Sequence, residues 1–166
     1  MAVDIVKNDE KGLVDRLKKL GFDGVFHNHN GLMSMVDDEN AFELKVYSGK
    51  DYDFTIQKGR ADVVEDLEKN GFILNKGLCH KLKENGMFVV FKFSNLIESE
   101  NFFKTYKNML INGRTCDEYS VPCIYASYAD SVKTAKSPAQ LIAFAEEFKY
   151  RYDNLLKSWD KLLKRS

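Results

Sequence analysis

Two prolines in 166 residues leave little room for rigid spacers or long unstructured linkers. The chain also lacks net charge, with 25 basic against 25 acidic side chains. Residues 1–60 sum to −2, residues 61–137 to 0 and residues 138–166 to +2, which is too even for a nucleic-acid-wrapping surface. No apolar run approaches the ~18 residues that span a bilayer. Asp4, Lys7, Asp9 and Glu10 break up the start, so no secretory signal is expected. The three cysteines, Cys79, Cys116 and Cys123, are odd in number and show no CxxC spacing. Reduced thiols in a cytoplasmic protein are therefore expected. Phosphate-loop and nucleophile-elbow motifs are missing as well.

What is present is the balance of a folded chain: 44% hydrophobic, 30% charged, 13% aromatic. The length suits one domain over 1–166, with possible sub-units at 8–57 and 61–93 and a helical part at 94–166. Val14-Asp-Arg-Leu-Lys-Lys-Leu-Gly-Phe22 returns as Val64-Glu-Asp-Leu-Glu-Lys-Asn-Gly-Phe72, with five of nine positions identical. Leu13, Val14, Leu17 and Leu20 share a helical face that starts near Asn8 or Asp9. Gly21 then supplies a left-handed terminus and turns Phe22 back toward Leu17. The echo predicts a second such helix over 61–70; it fits a duplicated helix–hairpin unit, or two common helix endings that agree by chance.

Asn30-Gly31 is a two-residue hairpin signal that pairs residues 25–29 with 32–36. A turn at 37–40 leads into 41–47, and a turn at 48–51 into a strand at 52–56. Asn85-Gly86 predicts a second hairpin, between 77–82 and 87–93. The run Met87-Phe-Val-Val-Phe91 is apolar on both faces and reads as a central, doubly covered strand. A helix is expected over 94–112, with a stripe of Leu96, Phe103, Tyr106 and Leu110 and a stop at Gly113. Pro122 makes 121–125 an edge strand.

Ser137 and Pro138 open the last helix as cap and first helical residue. Leu141, Ala145, Phe148, Tyr152, Leu155, Trp159 and Leu162 follow alternating steps of four and three. That seam suits a helix packed on its own sheet, or a coiled coil with a second chain. Lys161, Lys164 and Arg165 complement its negative end. The fold class is thus α+β: an antiparallel sheet of five to seven strands under a long C-terminal amphipathic helix.

The hairpin registers place His27, Ser34 and Glu43 in one row across three strands, beside a row of His29, Leu32 and Lys45. Asp37 and Asp38 lie at the adjoining turn. Phe54 and Ile56 would fall beside Lys45 and Glu43 on the same face. His27, His29 and Glu43 are candidate metal ligands, so a divalent metal is the one cofactor the pattern admits. Asp23-Gly-Val-Phe-His-Asn-His29 is similar to the His-x-His strand of metal-dependent hydrolases with barrel folds. Those folds need far more chain and further histidines, and only His80 remains, so membership of that group is not expected. The acid at 37–38 followed by Glu43-Leu-Lys45 is similar to the restriction-endonuclease-like arrangement. There the carboxylates hold a divalent ion and the lysine positions water. His27 and Glu43 could instead serve proton transfer through Ser34. A solvated sheet face, with cross-strand pairs worth ~0.2–1 kcal/mol each, accounts for the same residues. His80 reads as a half-buried strand histidine opposite Phe91.

These observations favour a small soluble bacterial or phage accessory protein working through protein–protein contacts, with a protein partner or its own copy. No membrane is expected as partner, nucleic acid is an unlikely one, and the balance leans away from catalysis. Aromatic content suits such interfaces. The opposing reading is a small metal-dependent hydrolase or nuclease using His27, His29, Glu43 and Lys45, with Asp37 or Asp38.

Overall fold

Continuous apolar runs, rather than alternating ones, build most of the sheet. A computed structural model of the chain describes residues 1–7, 11–36 and 43–165. The strands are β1 (Val3–Val6), β2 (Gly24–His29), β3 (Leu32–Met35), β4 (Leu44–Tyr47), β5 (Val63–Glu65), β6 (Phe88–Lys92) and β7 (Cys123–Ala126). They lie side by side in chain order. Only β3 runs against the others: β1–β2, β4–β5, β5–β6 and β6–β7 are parallel pairs, and β2–β3 and β3–β4 antiparallel ones. The helices are α1 (Lys11–Lys19), α2 (Tyr52–Lys58), α3 (Lys76–Glu84), α4 (Phe93–Ile97), α5 (Phe102–Glu118), α6 (Pro138–Glu147) and α7 (Tyr152–Leu163). The class is α+β as expected, but the sheet is mixed and curls until its first and last strands meet.

That meeting is made by backbone and side chain together. Tyr128 N–H donates to the Ile5 carbonyl at 3.0 Å, and Lys7 N–H to that of Ala129 at 2.8 Å. The buried Asp4 carboxylate accepts from the Ser127 amide at 2.7 Å and from its hydroxyl. The first and last strands pack on each other, and β1, β5, β6 and β7 are buried along their whole lengths. The expectation of a purely antiparallel sheet is corrected: seven short strands form a mixed, nearly barrel-shaped one. The strand expected at an edge over 121–125 is β7, last in the sheet order and paired by a ladder only to β6, though covered by β1. Pro122 precedes β7 and offers only its carbonyl, to Val89 N–H at 3.0 Å.

The hairpin at Asn30-Gly31 forms as predicted, with His29 opposite Leu32, His27 opposite Ser34 and Phe26 opposite Met35. Both turn residues are left-handed, at φ 51° and 83°, as a type I′ turn requires. Asn85-Gly86 does something else. Asn85 is right-handed at φ −80° and ends α3, and only Gly86 is left-handed, at φ 65°. Met87 N–H then closes on the Leu82 carbonyl at 2.8 Å. Residues 77–82 are therefore helical, capped by the Asn75 side chain at 3.0 Å from Leu78 N–H.

Two further assignments exchange places. Residues 52–56 belong to helix α2, with Tyr52, Thr55 and Ile56 buried at helical spacing and Phe54 47% exposed. A strand would have put Phe54 with Tyr52 and Ile56. Residues 63–65 are strand β5, not the helix that the echo predicts. The echo is no duplication of units: Val14 is helical and Val64 extended. What the copies share is the closing turn. Phe22 N–H meets the Leu17 carbonyl at 3.3 Å and Phe72 N–H that of Leu67 at 2.8 Å, each past a left-handed glycine.

The helix expected over 94–112 is two, α4 and α5, and Phe103 is 83% exposed rather than in the stripe. Gly113 lies inside α5, where a Cβ would sit 2.4 Å from the Phe148 carbonyl. It is required for close packing, not for a stop. The last helix starts with the predicted Ser137 cap, which Gln140 completes as a capping box, but breaks after Phe148, where Lys149 takes φ 62°. Tyr150 turns inward, and its hydroxyl donates to the Val121 carbonyl at 2.8 Å. The seam itself is buried within the chain at Leu141, Ala145, Phe148, Leu155, Trp159 and Leu162, while Tyr152 is 44% exposed. α7 crosses the end of the barrel where the strands begin. Ser158 Oγ accepts from the Cys123 amide at 3.1 Å, Leu163 fills the space beside Gly24, and Arg165 approaches Asp62 at 3.7 Å.

Candidate functional site

The predicted His–Glu–Lys face is only partly assembled. His27 is half-buried and His29 exposed, with ring centroids 5.8 Å apart. His29 Nε2 lies 2.9 Å from the Asn30 side-chain nitrogen. Lys45 stands opposite Leu32 as predicted. Glu43 is exposed and precedes β4, beyond the two residue pairs that join β3 to β4. Asp37 and Asp38 lie outside the described residues. Phe54 and Ile56 are on α2 and do not flank Lys45 on a sheet face. His80 is exposed on α3, its ring 5.8 Å from that of Tyr119, not on a strand opposite Phe91. Among the described residues no three His, Cys, Asp or Glu side chains are grouped to hold a metal ion.

A denser polar constellation occupies the opposite end from α7, where the parallel strands finish. In parallel barrels this end gathers the loops that carry function. β5 ends in Glu65 and is followed by Asp66; β6 ends in Lys92. Lys92 Nζ lies 2.9 Å from Glu65 Oε1 and 3.1 Å from Asp66 Oδ1, and 4.1 Å above the Tyr128 ring. Asn28 at the end of β2 donates to Glu65 at 3.2 Å. Ser48 donates to Asp66 at 2.8 Å. Asn95, in the first turn of α4, bridges Asp66 at 2.8 Å and Glu68 at 2.7 Å. Tyr52 adds its hydroxyl to the Glu65 carbonyl at 2.6 Å.

Charge and burial set the protonation states. Burial lowers the Lys92 ammonium's affinity for its proton, but Glu65 and Asp66 outweigh it and fix the charge well above the ordinary lysine range. Burial also works on Asp66, yet Lys92, Asn95 and Ser48 hold it below the usual carboxylate value. Glu65 stays above that value because burial exceeds the pull of Lys92. Glu68 is pushed up to about 7 by burial, against Asn95 and its own amide. Its Oε2 has no hydrogen-bond partner in the protein. Glu68 and Asn95 line a cavity of about 420 Å³ with Ser99, Asn101 and Thr105. The constellation thus holds one fixed cation among charged carboxylates, beside one carboxyl poised near neutrality.

Glu68 makes stability depend on pH with a defined sign. Its folded value, about 7, exceeds the ordinary 4.5. The folded state therefore binds more protons between those limits, and stability falls as pH rises through that window. Glu68→Gln carries no charge to bury. We expect it to be more stable than the parent at pH 8, by about 1–3 kcal/mol, with the gain gone at pH 4.5. Urea unfolding at the two pH values measures this; a pH-independent difference would refute the assignment.

The sequence did carry a signal for this end. Val63-Val64 and Phe88–Phe91 are apolar runs closed by a charge, Glu65 and Lys92. A charge that ends a continuous run marks where a doubly covered strand leaves the core.

No protein-family model matches the sequence, and no curated protein does. The fold is similar to that of a chain in the cryo-EM structure of archaeal ribonuclease P with mature tRNA, at a TM-score of 0.57 and 14% identity, over 99% of this chain and 93% of that one. This likeness corrects the expectation of a bacterial or phage accessory protein working through protein–protein contacts, and with it the ranking of nucleic acid as an unlikely partner. The architecture is one found, over nearly its full length, inside an RNA–protein assembly.

Proposed function

We propose that this chain is an RNA-binding component of an RNA-processing ribonucleoprotein. The observation that carries the reading is the likeness, over almost the whole of both chains, to part of an archaeal ribonuclease P bound to mature tRNA. Charge distribution supports it. The fully buried charges among the described residues are Asp4, Glu65, Glu68 and Lys92. Three acids and one base are thereby withdrawn, leaving 24 basic against 22 acidic side chains elsewhere. Burial among the described residues thus withdraws more acid than base, and positive charge is the sign that phosphate backbones attract.

The expected result is salt-dependent binding of mature tRNA, with a dissociation constant of about 1 µM or tighter at ~0.1 M salt. Fluorescence anisotropy of labelled tRNA across a KCl series measures it, with duplex DNA of equal length as competitor. Absence of binding at ~0.05 M salt, or equal displacement by the DNA, would count decisively against the reading.

A further inference from the structure

Basic residues gather at the end of the barrel that α7 covers. Lys161 and Arg165 are one turn apart at the end of α7, and both sit over the ring of Phe88, the first residue of β6, at 5.4 and 5.3 Å. Lys83, from the last turn of α3, is close enough that it and Arg165 add to burial in lowering the proton affinity of Lys161. Arg165 Nη2 fills the space a Cβ would take at Gly86, 2.5 Å away. The neighbouring Asn85 amide donates to the Ile56 carbonyl at 2.7 Å, which brings in the end of α2. There Arg60 lies 4.4 Å over the half-exposed Phe54 ring.

The acids at this end are already engaged. Asp62 accepts from the Lys45 amide at 2.9 Å and meets Arg165 only at 3.7 Å. Glu84 pairs with Lys81 at 2.6 Å and Asp160 with Lys164 at 2.5 Å. Lys83 and Lys161 have no carboxylate partner among the described residues. Bringing like charges together costs stability unless an anion joins them. A cluster that raises the free protein's energy, with the half-exposed Phe54 ring beside it, has the composition of a phosphate-backbone contact.

We propose that the amino end of the barrel, through Lys83, Lys161 and Arg165 with Arg60 beside them, docks the phosphodiester backbone of structured RNA. The proposal rests on the RNA-binding reading and adds the face that does it. The fixed cation at the opposite end is excluded from this role, because Lys92 is buried among its own carboxylates.

The test compares wild type with Lys83→Gln/Lys161→Gln in tRNA anisotropy titrations from ~0.05 to ~0.3 M KCl. Two lost phosphate contacts predict a log–log salt slope shallower by about two, and affinity weaker by tens of fold at ~0.1 M salt. The thermal midpoint should stay level or rise, since the variant relieves repulsion on Arg165. A charge-matched control, Lys19→Gln/Lys50→Gln, changes exposed lysines elsewhere and should keep most of the affinity and slope. If wild type binds and both double variants lose equally, binding is diffuse and this face is not the site. If wild type binds and Lys83→Gln/Lys161→Gln binds as tightly with the same slope, the face serves another partner, such as an acidic protein segment, and the proposal fails alone. No wild-type binding at all would remove the RNA reading itself.

Discussion

Lys92→Met is expected to cost about 3–5 kcal/mol of stability, a fall in thermal midpoint on the order of 10 °C for a chain of this size. The reason is what the substitution leaves behind. Glu65 and Asp66 meet the same ammonium at 2.9 and 3.1 Å, with all three side chains largely out of water. Methionine fills the volume of the aliphatic stem but strands two carboxylates. Asn28, Ser48 and Asn95 cannot replace the lost charge, because their hydrogen bonds to those carboxylates already exist. Removing one member of a buried ionic group costs far more than removing all of it. The triple variant Lys92→Met/Glu65→Gln/Asp66→Asn should therefore recover most of the loss. Guanidinium unfolding of the two variants separates the ideas. A single variant within 1 kcal/mol of the parent, or a triple no better than the single, would show that the network does not hold this end of the barrel together.

Local chemistry was legible wherever one residue's backbone preference decides the outcome. Asn30-Gly31 set the hairpin and its register, Gly21 and Gly71 set their closing turns, and Ser137-Pro138 set a helix start. The same logic failed at Asn85-Gly86, because the dipeptide serves a type I′ turn or a helix terminus equally well. What precedes it decides, and residues 76–84 bury Leu78, Cys79 and Leu82 at helical spacing. Residues 52–56 were misread for a related reason: Tyr52, Phe54 and Ile56 fit a strand's period, but the buried trio is Tyr52, Thr55 and Ile56.

The parallel character of the sheet was hidden by shortness. β5 is three residues and β1 four, too few for periodicity to separate strand from helix. Barrel closure was beyond local reading altogether, since it joins Asp4 to Ser127 across 123 positions. The carboxyl-end network has the same origin. Asn28, Glu65, Lys92 and Tyr128 become neighbours only when four elements converge, so a face drawn from one meander could not contain them. Net charge misled in a third way, by counting Asp4, Glu65 and Glu68 as if they were surface.

At the other end of the barrel, Trp159→Ala should cost about 3–5 kcal/mol. Trp159 is the largest of the fully buried side chains and belongs to α7, the element that covers the strand beginnings. Its neighbours in sequence are fixed to those beginnings by Ser158, Leu163 and Arg165. The vacated volume therefore cannot collapse without moving the whole helix. Trp159→Phe should cost a fraction of that. The indole Nε1 makes no hydrogen bond to the protein, so phenylalanine forfeits volume but no polar contact. Far-UV circular dichroism during urea unfolding tests both, since the only tryptophan is lost in each variant. The same experiment decides what the four–three seam is for. If α7 plugs its own barrel, the cost of Trp159→Ala is independent of protein concentration. If the seam instead pairs two chains, the cost grows on dilution and the substitution shifts the oligomeric state. Equal losses in the alanine and phenylalanine variants would overturn the packing argument as well, because they would place the energy in the indole N–H rather than in the filled volume.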